Sequence, residues 1–183
     1  MKTIKMPKSL HDVFGEEQTL FQIVTIALGA IITTLVTFFF YDGESTVWWK
    51  ACIGWLFAAD VFAGCIANFS AGTNEFYAKR PLNRWIFIVI HWHLLVIVWA
   101  LGGEVVPALW ITGTTLVGAS LVNCLSQSRM QSFVGGVVLL CGLLINVYFV
   151  SEQPLWQAFV SIAFFTKVSY AFAVNHYRGG CDA

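Results

Sequence analysis

The chain has 183 residues, of which 58% are hydrophobic and only 11% are charged. A soluble domain of this length carries about 25% charged residues, so the composition excludes an ordinary soluble protein. The formal net charge is zero, which gives no reason to expect nucleic acid as a partner.

Six apolar runs are long enough to cross the roughly 30 Å hydrocarbon core of a bilayer as helices. In chain order, the predicted spans cover residues 19–40, 47–69, 85–102, 106–124, 133–151 and 155–175. The segment from Ser70 to Arg84 is rich in turn-forming residues, and we predict a loop there. The predicted fold class is an all-α integral membrane protein, a six-helix transmembrane bundle in which residues 1–183 form a single domain.

Charged residues alternate between the two ends of the predicted spans. One end carries the basic residues Lys2, Lys5, Lys8, Lys79, Arg80, Arg84, Arg129 and Arg178. The other end carries Asp42, Glu44, Glu104 and Glu152, with Lys50 as the exception. Because basic loops stay in the cytoplasm, we predict that both termini are cytoplasmic and that the protein crosses the cell's inner membrane several times.

Four ionisable residues fall inside the predicted spans, where each is costly unless it has a partner or a function. They are Asp60 in span two, His91 and His93 in span three, and Lys167 in span six. At about 1.5 Å per residue, all four lie within roughly one helical turn of the same depth. We therefore predict one buried titratable site in the cytoplasmic half of the bilayer, with Asn68 as a fifth candidate for binding a ligand or carrying a proton.

Asp60 is the expected partner of Lys167. Helical side chains lean toward the N-terminus of their own helix, so Lys167 leans toward the bilayer centre and away from the nearer interface. Asp60 shares a helix face with the small residues Gly64 and Ala67, and such a face packs against protein. A carboxylate on this face would keep the ammonium group charged.

His91 and His93 are two residues apart, and on a continuous helix such side chains point about 200° away from each other. We therefore expect one imidazole at the level of Asp60 and the other against a neighbouring helix, a backbone carbonyl or a second protomer, with no metal site formed by the pair. The five cysteines also lack metal-ligand spacing. We expect neither a metal nor a cofactor, and the sequence identifies no catalytic residue.

A carboxylate, an ammonium group and an imidazole between helices suit a small solute whose movement is coupled to protons. Our first hypothesis is therefore a proton-coupled transporter or channel. In it, Asp60 and His93 carry protons, and Lys167 contacts an anionic group of the solute. Low proline content and the absence of an obviously broken helix count against a standard alternating-access design.

Two other functions stay open. One is a membrane-embedded enzyme that acts on a lipid or isoprenoid-like substrate, with Asp60 and a histidine as general acid and base. The other is a structural or accessory subunit, in which the polar residues only hold the helices together. The expected partners are the lipid bilayer and a small-molecule ligand, and a homo-oligomer is allowed.

Overall fold

A computed structural model describes residues 3–43 and 47–178. Within these residues, five helices are long and apolar enough to cross a membrane. They are Leu20–Phe39, Trp48–Ala67, Pro81–Leu101, Val105–Cys124 and Gln131–Tyr148. The prediction of a multi-pass helical membrane protein is confirmed at this level. Lys2, Glu44 and Cys181 lie outside the described residues.

The N-terminal segment forms a small ribbon that we did not predict. Strand β1 (Thr3–Lys5) pairs antiparallel with β2 (Glu17–Thr19), and a 3-10 turn (Lys8–Leu10) and helix α1 (His11–Phe14) connect them. Gly15 follows α1 with a φ of 70°, a left-handed value that glycine adopts at little cost. The chain can therefore reverse at Gly15 and enter β2.

Helices α2 (Leu20–Phe39) and α3 (Trp48–Ala67) form an antiparallel pair. The first turn of α2 is fixed by a capping box, in which Thr19 and Gln22 each accept a hydrogen bond from the other's backbone N–H. Most of the apolar side chains of α2 are exposed on the outside of the bundle, as expected for contact with lipid.

The predicted loop between Ser70 and Arg84 is wrong, because most of it is helical. Helix α4 (Ala71–Ala78) begins at Ser70, whose Oγ accepts a hydrogen bond from the Thr73 N–H. The buried Asn74 side chain donates to the Val174 carbonyl at 2.9 Å and accepts from the His176 N–H at 3.0 Å. These contacts with the end of the chain stabilise a helix that local propensity disfavours.

The third predicted span is interrupted. Helix α5 (Pro81–Ile90) ends just before His91, and helix α6 (His93–Leu101) starts after Trp92. Helix α6 packs along α3, whereas α5 packs mainly against α4 and α7 (Val105–Cys124). The break therefore directs α5 away from α3 and opens a space between them.

Helix α8 (Gln131–Tyr148) leads through a 3-10 turn (Val150–Glu152) to α9 (Leu155–Thr166). Helix α9 continues without interruption as a π-helical segment (Lys167–Phe172). The two segments correspond to the last predicted span, and most of their side chains are buried because α3, α7 and α8 surround them.

One end of the bundle carries the N-terminal ribbon, α4, the connection 125–130 and the segment 173–178. We call it the basic end, because Lys5, Lys79, Arg80, Arg129 and Arg178 lie there. The ribbon docks onto α4 through Gln18, which donates to the Ser70 hydroxyl, and through the Arg80–Glu16 ion pair.

The close approach of β2 to α4 predicts a cost for any side chain at Gly72. A Cβ there would overlap the Glu17 carbonyl oxygen, so Gly72→Ala should destabilise the docked ribbon by about 1–3 kcal/mol. Limited proteolysis in detergent should then cleave the N-terminal segment faster than in the wild type. Gly136→Ala is the matched control, since its Cβ meets nothing within 4 Å. Equal cleavage of the two variants would contradict this packing.

Candidate functional site

A cavity of about 330 Å³ lies where α5 leaves α3. The five residues proposed from the sequence as binding or proton-carrying all line it: Asp60, Asn68, His91, His93 and Lys167. They come from α3, from the break between α5 and α6, and from the first position of the π-helical segment. The tertiary structure thus brings together all the side chains that the sequence placed at one depth.

The expected contact between Asp60 and Lys167 is present. The Lys167 Nζ donates to Asp60 Oδ2 at 2.7 Å and also lies 3.4 Å from the Asp60 carbonyl oxygen. The two side chains differ in access, since that of Lys167 is 4% exposed and that of Asp60 is 45% exposed. Gly64 makes the approach possible, because a Cβ at this position would overlap the end of the Lys167 side chain.

The two histidines lie side by side, and the prediction that they point apart is wrong. Their ring centroids are 4.6 Å apart, because the break at His91–Trp92 removes the helical relation on which that prediction relied. His93 Nδ1 lies 3.5 Å from Asp60 Oδ2, so one imidazole adjoins the ion pair directly.

The hydrogen bonding of His91 determines its tautomer. Its Nδ1 contacts the Phe87 carbonyl oxygen, which can only accept, so the proton of the neutral ring is on Nδ1. The other nitrogen, Nε2, then carries a free lone pair. Within residues 3–43 and 47–178, neither His91 Nε2 nor His93 Nδ1 has a hydrogen-bond partner. Two adjacent imidazoles therefore retain unused hydrogen-bonding capacity.

The two helices that form the cavity together with α3 are both irregular at this level. The α5–α6 helix is broken at His91–Trp92, and the last helix changes to π geometry at Lys167. Asn68 Nδ2 lies 3.5 Å from the Lys167 carbonyl oxygen, at the start of that change. Irregular backbone at membrane depth is tolerated where it is buried in protein or lines a cavity.

Part of the lining comes from segments that the sequence did not connect with the site. Asp12 and Val13 of α1, Tyr77 of α4 and Asn83 of α5 close the cavity toward the basic end. The Tyr77 hydroxyl donates to the Asp12 carbonyl at 3.1 Å, and burial raises the pKa of Tyr77, so the hydroxyl keeps its proton. No periodicity in the sequence indicated that the N-terminal segment folds back here.

The charges around the cavity do not cancel. With neutral imidazoles, the carboxylates of Asp12 and Asp60 and the ammonium of Lys167 sum to a formal charge of −1. Of these three groups, only the Lys167 ammonium is buried and paired with an opposite charge, whereas Asp12 and Asp60 are both exposed. The accessible charge of the site is therefore negative.

No set of metal ligands was found in the described part of the chain, where no group of three or more His, Cys, Asp or Glu side chains could hold a metal ion. Comparison with protein-family models, with curated proteins and with solved structures found no match for this chain. A functional proposal therefore depends on the geometry of the cavity and on its charges.

The ion pair predicts strong coupling between Asp60 and Lys167. Asp60→Asn leaves a buried ammonium without its counter-charge and should destabilise the protein. The double variant Asp60→Asn/Lys167→Met should be less destabilised than the sum of the two single variants. Thermal unfolding in detergent should give a coupling energy of about 1–3 kcal/mol. The Glu16–Arg80 pair is the control, because it is exposed and should couple by less than about 1 kcal/mol. Additive effects at Asp60 and Lys167 would contradict the pairing.

Proposed function

We propose that the protein is a proton-coupled carrier for a small solute, with the Asp60 carboxylate at its binding site. The observation that carries this proposal is that Asp60 faces a cavity between helices while it contacts Lys167 and adjoins His93. Ionisable groups in such positions typically mark solute pathways and proton relays.

The proposal includes six spans, with both termini in the cytoplasm of the inner membrane. The helix formed by residues 155–172 is within the range of about 17–25 residues that transmembrane helices have. It is surrounded by other spans, so it can carry Lys167 without exposing the ammonium to lipid. The charge of the basic end supports the orientation.

The two backbone irregularities support a carrier more than a rigid bundle. Discontinuous helices whose broken segments line a central site are a common feature of secondary transporters. The absence of a broken helix was an argument against this function, and the break at His91–Trp92 removes it. A π-helical turn is also frequent at functional sites.

The solute class follows from which charge is accessible. Lys167 is too buried to contact an anionic group, so the geometry gives the solute contact to Asp60 instead. Asp60 Oδ2 holds Lys167, and Oδ1 has no hydrogen-bond partner among the described residues. With a formal charge of −1 around it, this oxygen suits a small organic cation that donates N–H groups, such as a guanidinium or an amine. A proton would compete with the cation for the Asp60 carboxylate, so cation binding would be coupled to proton release.

A lipid-modifying enzyme is the second candidate, because the cavity adjoins the surface that faces the membrane. Ile86 and Ile90 both line it, and they are 50% and 57% exposed. An apolar chain could enter between these side chains, and His93 with Asp60 would then act as acid and base. The lining contains no serine, threonine or cysteine among the described residues, which favours acid–base chemistry over transfer through a hydroxyl or thiol nucleophile.

The proposed orientation predicts opposite labelling of the two ends. In a variant without native cysteines, Lys5→Cys and Arg129→Cys should resist a membrane-impermeant thiol reagent in intact cells and react after lysis. Glu104→Cys and Glu152→Cys should react in intact cells, since the odd-numbered connections face outward. Labelling of position 5 from outside would contradict the orientation. The sixth span predicts that Arg178→Cys resists the reagent in intact cells, so labelling of position 178 from outside together with position 152 would contradict that span.

The carrier proposal predicts cation-driven proton movement. Proteoliposomes with an acidic interior and a trapped pH dye should release protons when guanidinium is added, since this cation crosses lipid poorly. Asp60→Asn should lower the initial rate to that of protein-free vesicles. Glu104→Gln, which removes an exposed carboxylate at the other end, should leave the rate unchanged.

The histidines are tested in the same assay. His93→Gln should flatten the dependence of the rate on pH, because it removes the imidazole that adjoins the Asp60 carboxylate. An unchanged profile in both His91→Gln and His93→Gln would exclude a proton-carrying role. Full activity of a folded Asp60→Asn protein would exclude the carrier mechanism.

A further inference from the structure

A second polar cavity, of about 250 Å³, lies at the basic end of the bundle. It is bounded by the start of α5, the end of α7, the connection 125–130 and the segment after the π-helical turn. Its charged lining residues are both arginines, Arg84 and Arg178, and the polar remainder is neutral. None of the described residues that line it is acidic.

Arg84 is an unusual residue to find buried, since it is 3% exposed and has no carboxylate within 4.0 Å among the described residues. Its Nε donates to Asn123 Oδ1 at 2.6 Å, and its Nη2 donates to the Ala173 carbonyl at 2.6 Å. These acceptors are neutral. The carbonyl end of the last helix offsets part of the charge, but a buried cation without a counter-ion remains costly.

The two guanidinium groups are held in place before any ligand binds. The Nη1 of Arg84 has no hydrogen-bond partner in the described part of the chain and stays available, because Nε and Nη2 anchor the group to α7 and to the last helix. Arg178 donates to the carbonyls of Ser126 and Ser128 at 3.0 Å and contacts that of Gln127. Little side-chain entropy would therefore be lost on binding.

From this geometry we propose that the cavity between Arg84 and Arg178 binds a phosphate group. Planar guanidinium groups match the oxygens of a phosphate, and a dianion would supply the counter-charge that Arg84 lacks. Asn123, Asn175 and Ser126 line the same space and offer further polar contacts. The phosphate belongs to a lipid headgroup or to a soluble phosphate compound, and both sources share this chemistry.

The charge of the cavity does not distinguish a lipid headgroup from a soluble phosphate compound. The position of Trp85 does favour one of the two sources. Its ring is 38% exposed and lines the rim, at the end of a span where tryptophans contact lipid headgroups. Basic pockets between helices on the cytoplasmic side commonly hold anionic lipids. A bound headgroup would fasten the start of α5 to α7 and to the last helix, at a distance from the Asp60 cavity.

The test uses the full-length protein in an uncharged detergent at constant ionic strength. Inorganic phosphate, dihexanoyl phosphatidic acid and dihexanoyl phosphatidylcholine are titrated separately, and Tm and native mass spectra are recorded. Binding of phosphatidic acid alone supports a lipid headgroup, and binding of inorganic phosphate as well supports a soluble compound. In both cases phosphatidylcholine, which has no net charge, should bind more weakly.

Variants decide whether the arginines form the site. Arg178→Gln should weaken binding about tenfold or more, since a charge-assisted hydrogen bond is lost. Arg129→Gln is the matched control, because this exposed arginine is in the connection 125–130, which borders the cavity, but does not itself line it. Arg84→Lys keeps the buried charge and should weaken binding while the fold is retained. The proposal would be overturned if none of the three probes binds, or if Arg178→Gln and Arg129→Gln weaken binding equally.

Discussion

Lys167 carries an ammonium group into the packed centre of the bundle, where its side chain is 4% exposed. A charge in that position requires a partner, and only Asp60 provides a carboxylate within reach among the described residues. The approach further requires the bare backbone of Gly64 on α3. Several features of the site thus follow from one constraint, because the ion pair ties the last helix to α3 at the level of the cavity.

Helix α5 contributes to both the Asp60 cavity and the arginine cavity. Arg84 in its first turn fixes it to α7 and to the last helix, and Phe87 stacks on Phe172 with ring centroids 3.6 Å apart. Because α5 is held there, it diverges from α3 below the break at His91, and the Asp60 cavity occupies the space. Occupancy of the arginine cavity and the width of the Asp60 cavity therefore depend on the same helix.

The sequence placed the ionisable residues of the cavity at one depth, because charge in an apolar segment is a strong signal. The depth estimate placed Asp60, His93 and Lys167 at one level, and the structure brings them into contact. The prediction for the two histidines failed since it assumed a continuous helix. The loop prediction failed for a related reason, because buried hydrogen bonds of Asn74 to the end of the chain stabilise α4.

The sequence by itself determined that the chain crosses a membrane and which side chains are too polar for that environment, because hydrophobicity and charge are properties of each residue. Only the tertiary structure decided where helices break, which charges are shielded and which stay accessible. Those outcomes depend on distant neighbours, such as Gly64 beneath Lys167 or Asp12 beside Tyr77. The accessible carboxylate of Asp60 and the uncompensated guanidinium of Arg84 arise from packing between segments far apart in the chain, which local pattern does not encode.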